Sequence, residues 1–144
     1  MDKPDYSFTI LSDKSPEVIY QILLNVRAWW SGLYEESFTG QTEKLNDVFS
    51  FKAGGGAHYT EQKLVELVAN KKIVWLVTAA NLTFLENTAE WVGTQLIFEI
   101  SEAGDKNEVK FTHQGLLPTS ECYDNCAPAW TQYMQTKLLP LLTL

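Results

Sequence analysis

TQLIFEISEAGDKNEVKFTHQ, residues 94–114, is the stretch that decides the fold. Two apolar-rich runs, 94–101 and 108–114, flank Gly104-Asp105-Lys106-Asn107, a strong turn signal. In the second run Val109, Phe111 and His113 share one parity, as on a half-buried strand. So short a link requires the two strands to pair antiparallel. Working backwards, 73–80 (IVWLVTAA) is apolar on both parities and predicts a centrally buried strand. Residues 57–68 alternate for long enough to make a long, curved strand, and 47–53 put Phe49 and Phe51 on one face. Residues 33–39 predict a weak strand, and the irregular 81–93 predict a long loop.

Helical periodicity is confined to the two flanks. Residues 5–11 (DYSFTIL) first make one more strand, with Tyr6, Phe8 and Ile10 inward. Ser15-Pro16-Glu17 then opens a helix: a hydroxyl cap, proline in the first turn, and an acid near the positive end. Val18, Ile19, Ile22, Leu23 and Val26 form its apolar face, which Trp29-Trp30 extend before Ser31-Gly32 end it. Pro118-Thr119-Ser120 opens a long C-terminal helix. Its apolar stripe is Tyr123, Cys126, Ala127, Trp130, Tyr133, Met134, Leu138 and Leu141. Pro128 lacks the N–H that would reach Asp124, which predicts a kink or a later start; Pro140 predicts a bend in the last turn. Strand, helix, about six antiparallel strands and a long helix make an α+β architecture with the last helix against one sheet face.

Composition bounds what such a fold does. The 144 residues suit one domain spanning 1–144, with 45% hydrophobic and 20% charged residues, which excludes wholesale disorder. Eleven basic residues against eighteen acidic ones give a net charge of −7, which argues against a nucleic-acid surface. MDKPDYSFTI shows no apolar stretch of signal-peptide length, and no apolar run is long enough to span a bilayer. With only Cys122 and Cys126, a disulfide framework is not expected; a reducing, cytoplasmic setting is.

Six segments carry a resemblance: VRAWWSG (26–32), NDVFSF (46–51), KKIVWLVT (71–78), EWVGTQLIFEIS (90–101), EVKFTHQGLLP (108–118) and ECYDNCAPAW (121–130). As a set the chain resembles the helix-grip fold of the START-like (SRPBCC) superfamily. Within it, the chain is similar to the family related to the C-terminal domain of the activator of the ninety-kilodalton heat-shock chaperone ATPase. The resemblance implies a curved antiparallel sheet wrapped around the long C-terminal helix, with short N-terminal helices. It also implies a deep pocket between sheet and helix. Superfamily members bind lipids, hormones or polyketides there, and some catalyse cyclisation or ring chemistry. The chaperone likeness implies a stress-response partner.

The residues offer several chemistries. Cys122, Cys126 and His113 could form a three-ligand metal set, but free cysteine is among the most buried residue types, which reads both as small core residues. Gly54-Gly55-Gly56 precedes a strand pattern, not a helix, so it reads as a hairpin connection at a pocket mouth and not as a phosphate cradle. No nucleophile elbow is present, and Glu35, Glu36 and Glu86 read as solvated acids. His113, inward near a strand end, reads either as a weak acid–base candidate or as a satisfied core histidine. Five Trp, six Tyr and seven Phe read as core filling or as pocket lining. The expected ligand-binding residues are Phe51, Tyr59, Trp75, Val77, Phe98, Phe111, His113, Cys126, Trp130 and Tyr133, with no metal and no cofactor.

Three functions follow from these readings. The first is a module, monomeric or weakly dimeric, that holds a small apolar ligand. The second is a chaperone-associated interaction module using the acidic exterior or the apolar tail 138–144. The third is a cyclase- or hydrolase-like enzyme using His113 with a tyrosine.

Overall fold

The computed structural model describes residues 5–143; the opening four residues and Leu144, the end of the apolar tail, lie outside the described residues. Seven strands form one antiparallel sheet in the order β1-β7-β6-β5-β4-β3-β2. They are β1 (Tyr6–Ser12), β2 (Ser37–Gly40), β3 (Val48–Ala53), β4 (His58–Val68), β5 (Lys72–Leu82), β6 (Gln95–Ala103) and β7 (Lys106–Gln114). Ala103 pairs with Lys106, so the β6–β7 turn is tighter than the sequence suggests, with only Gly104 and Asp105 at its tip. β1 forms one edge of the sheet by pairing along β7, Tyr6 opposite His113 and Ile10 opposite Val109. Two register shifts, at Glu61/Gln62 and Leu64/Glu66, break the β4–β5 ladder. Such bulges bend a strand and increase its twist, which lets a sheet curve around a helix.

Helix α1 (Pro16–Leu24) starts as its sequence dictates: the Ser15 hydroxyl accepts the Val18 N–H, and Pro16 spends no amide in the first turn. Ile19 and Leu23 are wholly buried, while Val18, expected on the apolar face, is 46% exposed. Asn25 leaves helical geometry (φ −84°, ψ 71°), and a short α2 (Val26–Trp29) follows. The weak strand expected over 33–39 shrinks to β2. Upstream of it the Glu36 carboxylate accepts the N–H groups of Gly32, Leu33 and Tyr34, and Glu35 has φ 56°, so those residues form a turn. Glu36 is therefore not the solvated acid that its sequence setting suggests.

The C-terminal helix begins later than Pro118, as α3 (Tyr123–Tyr133), and runs through Pro128. It continues as a π-helical turn over Met134–Leu138 and ends as α4 (Leu139–Thr143). The wide turn lies just before Pro140, which has no N–H to give Thr136, so the local ladder is already broken there. One consequence is a change of phase. Trp130, Met134, Leu138 and Leu142 are buried, and Leu142 closes the core in place of the expected Leu141, which is 37% exposed. The apolar tail is thus largely committed to the interior, and the Ser12 hydroxyl donates to the Leu142 carbonyl. Among the described residues no helix is long and apolar enough to cross a membrane.

Candidate functional site

Between the curved sheet and α3 lies a cavity of about 260 Å³. Its sheet side is Phe51 and Ala53 at the end of β3, then Gly54, Ala57 and His58 at the start of β4. Its helix side is Asn125, Cys126, Ala129, Trp130 and Tyr133, one face of α3. Trp30 and Tyr34 come from the segment after α2, and Phe84 and Trp91 from the β5–β6 loop. Among the described residues no Lys, Arg, Asp or Glu lines it. Phe84 and Tyr34 are 46% and 41% exposed and form the rim, while Trp30, Phe51, Trp91 and Trp130 are buried and form the walls.

The walls are held by ring packing. Trp30 stacks on Phe51 (4.1 Å between centroids) and tilts against Trp130 (5.0 Å). Trp91 lies nearly parallel to Trp130 at 6.0 Å, and edge to face with His58 at 4.9 Å. Gly54, Gly55 and Gly56 turn the chain from β3 to β4 with φ of 61°, 69° and 98°, a left-handed path that glycine follows without a Cβ penalty. They form a hairpin connection, and Gly54 edges the cavity.

Trp91 is positioned by its loop, and the loop by carboxylates. Glu90 accepts the N–H groups of Glu121 and Cys122, amides at the entry to α3 that no helical carbonyl could reach. Glu121 in turn accepts those of Glu86 and Asn87. The exchange pins the irregular 83–94 segment to the helix that forms the opposite wall.

A chain of hydrogen bonds fixes the wall from behind. Trp130 Nε1–H donates to His113 Nδ1 at 3.0 Å. An indole N–H only donates, so Nδ1 carries no proton and the ring proton sits on Nε2. Nε2–H therefore donates to Thr94 Oγ1 at 2.9 Å, and the Thr94 hydroxyl donates to the Trp91 carbonyl at 2.6 Å. His113 is fully buried; burial, with His58 nearby, holds its pKa down to about 3. His113 thus spends both nitrogens on positioning Trp91 and Trp130 and does not itself line the cavity. On the rim, the Tyr133 hydroxyl donates to Glu36. Burial and the neighbouring carboxylate raise the Tyr133 pKa. Burial opposes ionisation of Glu36 as well, but the Tyr133 and backbone donors outweigh it and lower its pKa.

Of the residues expected to bind ligand, the fold brings Phe51, Cys126, Trp130 and Tyr133 to the cavity. Trp75, Val77, Phe98 and Phe111 face inward but lie nearer the middle of the sheet, packed into the core; Trp75 meets Phe49 edge to face, and Phe98 meets Trp29. Tyr59 is partly exposed on β4 and away from the cavity. Trp30, Tyr34, His58, Phe84, Trp91, Asn125 and Ala129 also line the cavity and were not among the residues expected to bind ligand. A tryptophan inside an irregular loop was the available signal for Trp91, since so large an apolar ring rarely stays in water.

The two cysteines need a correction. Cys122 and Cys126 are joined as a disulfide, not separate core thiols. They stand one helical turn apart with Cα atoms at 5.5 Å, inside the span a disulfide bridges. The reducing setting read from unpaired thiols loses that support. Among the described residues no three His, Cys, Asp or Glu side chains converge as a metal site.

No family model and no curated protein matches the chain. Solved structures do. The solution structure of the Aha1 dimer from Colwellia psychrerythraea is 24% identical, with a TM-score of 0.72 over 96% of this chain and 95% of that one. A crystal structure of a protein from Mesorhizobium loti is 14% identical, with a TM-score of 0.69 over 94% and 96%. One from Chromobacterium violaceum is 15% identical, with a TM-score of 0.66 over 94% of each chain. A curved seven-stranded antiparallel sheet, short N-terminal helices and a long C-terminal helix, similar to an Aha1 structure across almost the whole chain, give this protein a helix-grip α+β fold.

Proposed function

We propose that the protein binds a small hydrophobic or aromatic molecule in the cavity between sheet and C-terminal helix. The observation that carries this reading is the cavity itself: about 260 Å³, walled by Trp30, Phe51, Trp91 and Trp130, with no charged side chain among the described residues that line it. That volume lies just under the range usual for ligand pockets, ~300–1,000 Å³, and well above the ~150 Å³ that accepts a benzene ring. It suits a bicyclic ring system. At roughly 0.5 kcal/mol per heavy atom, a twelve-atom ligand such as 2-ethylnaphthalene gives a Kd on the order of 10–100 μM.

Ala129, on the helix wall, provides the test. Ala129→Phe places a ring in the cavity without removing any existing contact. We expect it to weaken 2-ethylnaphthalene binding by about tenfold or more, read by tryptophan fluorescence, while the melting temperature stays close to that of the parent. Equal affinity in the two proteins would refute the cavity as the binding site.

A second reading draws on the Aha1 likeness. In it the protein associates with a heat-shock chaperone and dimerises weakly. Added in excess, the protein would then raise the chaperone's ATPase rate, and sedimentation would show a concentration-dependent dimer. An unchanged rate removes this reading and leaves the first intact.

A further inference from the structure

Two tryptophans of this fold place their indole N–H on a partner: Trp29 Nε1 donates to the Leu23 carbonyl, and Trp130 Nε1 to His113. Among the described residues four buried side-chain polar atoms have none: His58 Nε2, Gln62 Oε1, Trp75 Nε1 and Trp91 Nε1. Gln62 and Trp75 lie in the sheet core, away from the cavity. His58 and Trp91 both line it, with their rings edge to face at 4.9 Å. A buried N–H without an acceptor bears an uncompensated desolvation cost, and an acceptor brought in by a ligand recovers it.

We infer that the cavity selects an uncharged ligand whose apolar ring system carries one carbonyl or hydroxyl oxygen, received by the Trp91 indole N–H with His58 Nε2 beside it. The inference rests on the cavity being the ligand site. Chemistry at each wall narrows the choice. Trp91 Nε1–H can only donate, so the ligand atom it meets must be an acceptor. A neutral imidazole offers Nε2 as donor or acceptor, so His58 suits a carbonyl in one tautomer and a hydroxyl in the other. Burial pushes the His58 pKa down to about 4, so at neutral pH it supplies no positive charge. With no Lys or Arg among the described residues of the lining, a carboxylate or phosphate would enter unpaired. A cationic amine would fare no better: among the described residues no carboxylate lines the cavity, and Glu36, bonded to the lining residue Tyr133, already accepts that hydroxyl and three backbone N–H groups.

Three probes of nearly one shape test this on the full chain: 2-acetylnaphthalene, 2-ethylnaphthalene and 2-naphthoate. We expect the ketone to bind about tenfold more tightly than the hydrocarbon, and the carboxylate to bind most weakly. In a 15N-labelled sample the Trp91 indole N–H resonance, identified by its loss in Trp91→Phe, should move with the ketone and not with the hydrocarbon. In Trp91→Phe the ratio of the two affinities should fall to about one or below, since only the hydrophobic preference for the hydrocarbon remains. If that variant fails to fold, the ratio in the parent protein still decides, with His58→Phe identifying the ring resonances around the cavity. Hydrocarbon binding as tight as the ketone, or 2-naphthoate binding tightest, overturns the inference and leaves the cavity as a ligand site. Binding of none of the three overturns both.

Discussion

Replacing Trp130 by alanine should destabilise the protein by about 3–5 kcal/mol, the largest loss expected from any single side chain lining the cavity. The ring is 2% exposed and sits where all the walls meet. It packs on Phe111 (4.7 Å), Trp30 (5.0 Å), His113 (6.0 Å) and Trp91 (6.0 Å). Truncation removes the buried area and leaves a void that a rigid sheet cannot collapse into. It also strips His113 Nδ1 of its donor, leaving an acceptor buried and unpaired. Trp130→Phe separates the two effects: most of the ring volume stays, the hydrogen bond goes, and the loss should be about 1–3 kcal/mol. Urea unfolding monitored by circular dichroism reads both, provided the slope is unchanged. A loss below about 1 kcal/mol for Trp130→Ala would mean that the helix does not close the core through this ring.

Acid should unfold the protein earlier than its carboxylates alone would. Burial holds His58 at a pKa of about 4 and His113 at about 3, where an unfolded histidine titrates near 6.5. Between 6.5 and those values the unfolded chain binds more protons than the folded one, so stability falls as pH falls. Above pH 6.5 neither histidine contributes a pH dependence. Below it each adds a slope approaching about 1.4 kcal/mol per pH unit; the His58 contribution levels off near pH 4 and that of His113 near pH 3. Glu36, whose carboxyl pKa is lowered, adds a loss of the same sign once the pH drops below its ordinary range. The urea midpoint should therefore fall steeply from pH 6 to pH 4 and stay flat from pH 7 to pH 8. His58→Phe should shed about half of the slope between pH 6 and 5, because one of two titrating groups is gone. A flat profile down to pH 5 would place both imidazoles in contact with water.

The physical reason for the low histidine pKa values bears on function. A protonated His113 would carry a proton on Nδ1, facing the N–H of Trp130, and the bond that orients the cavity wall would become a clash of donors. His113 acts as a strut linking β7 to α3 through Trp130, and to the β5–β6 loop through Thr94 and Trp91. Parity placed His113 inward correctly. It carried no information about which partners would occupy the two ring nitrogens.

The same limit explains the rest of the site. Phe51, Trp75, Phe98 and Phe111 look alike in the sequence: aromatic, on strands, facing in. Which of them borders the cavity depends on how far along its strand each sits, and therefore on where α3 crosses the sheet. Phe51 is near the end of β3, where the helix stands off; Phe98 and Phe111 lie nearer mid-strand, where packing is complete. Trp91 and Phe84 reach the cavity from a loop held by Glu90 and Glu121, residues that look like ordinary surface acids until the α3 entry comes within hydrogen-bond range. The phase of the C-terminal stripe was legible up to Leu138. Beyond it, the π turn before Pro140 exchanged Leu141 for Leu142.

Local periodicity by itself determined the seven strands, the Ser15-capped helix, most of the inward faces and the α+β class, because alternation and helical spacing are properties of neighbouring residues. The cavity, the Cys122–Cys126 pairing, the strut through His113 and the unpartnered nitrogens of His58 and Trp91 were decided only by the tertiary structure. Apart from the cysteine pairing, whose residues stand one helical turn from each other, each depends on distances between residues far apart in the chain. A cavity is what remains between surfaces once they have docked, and no run of neighbouring residues encodes how far apart two docked surfaces come to rest.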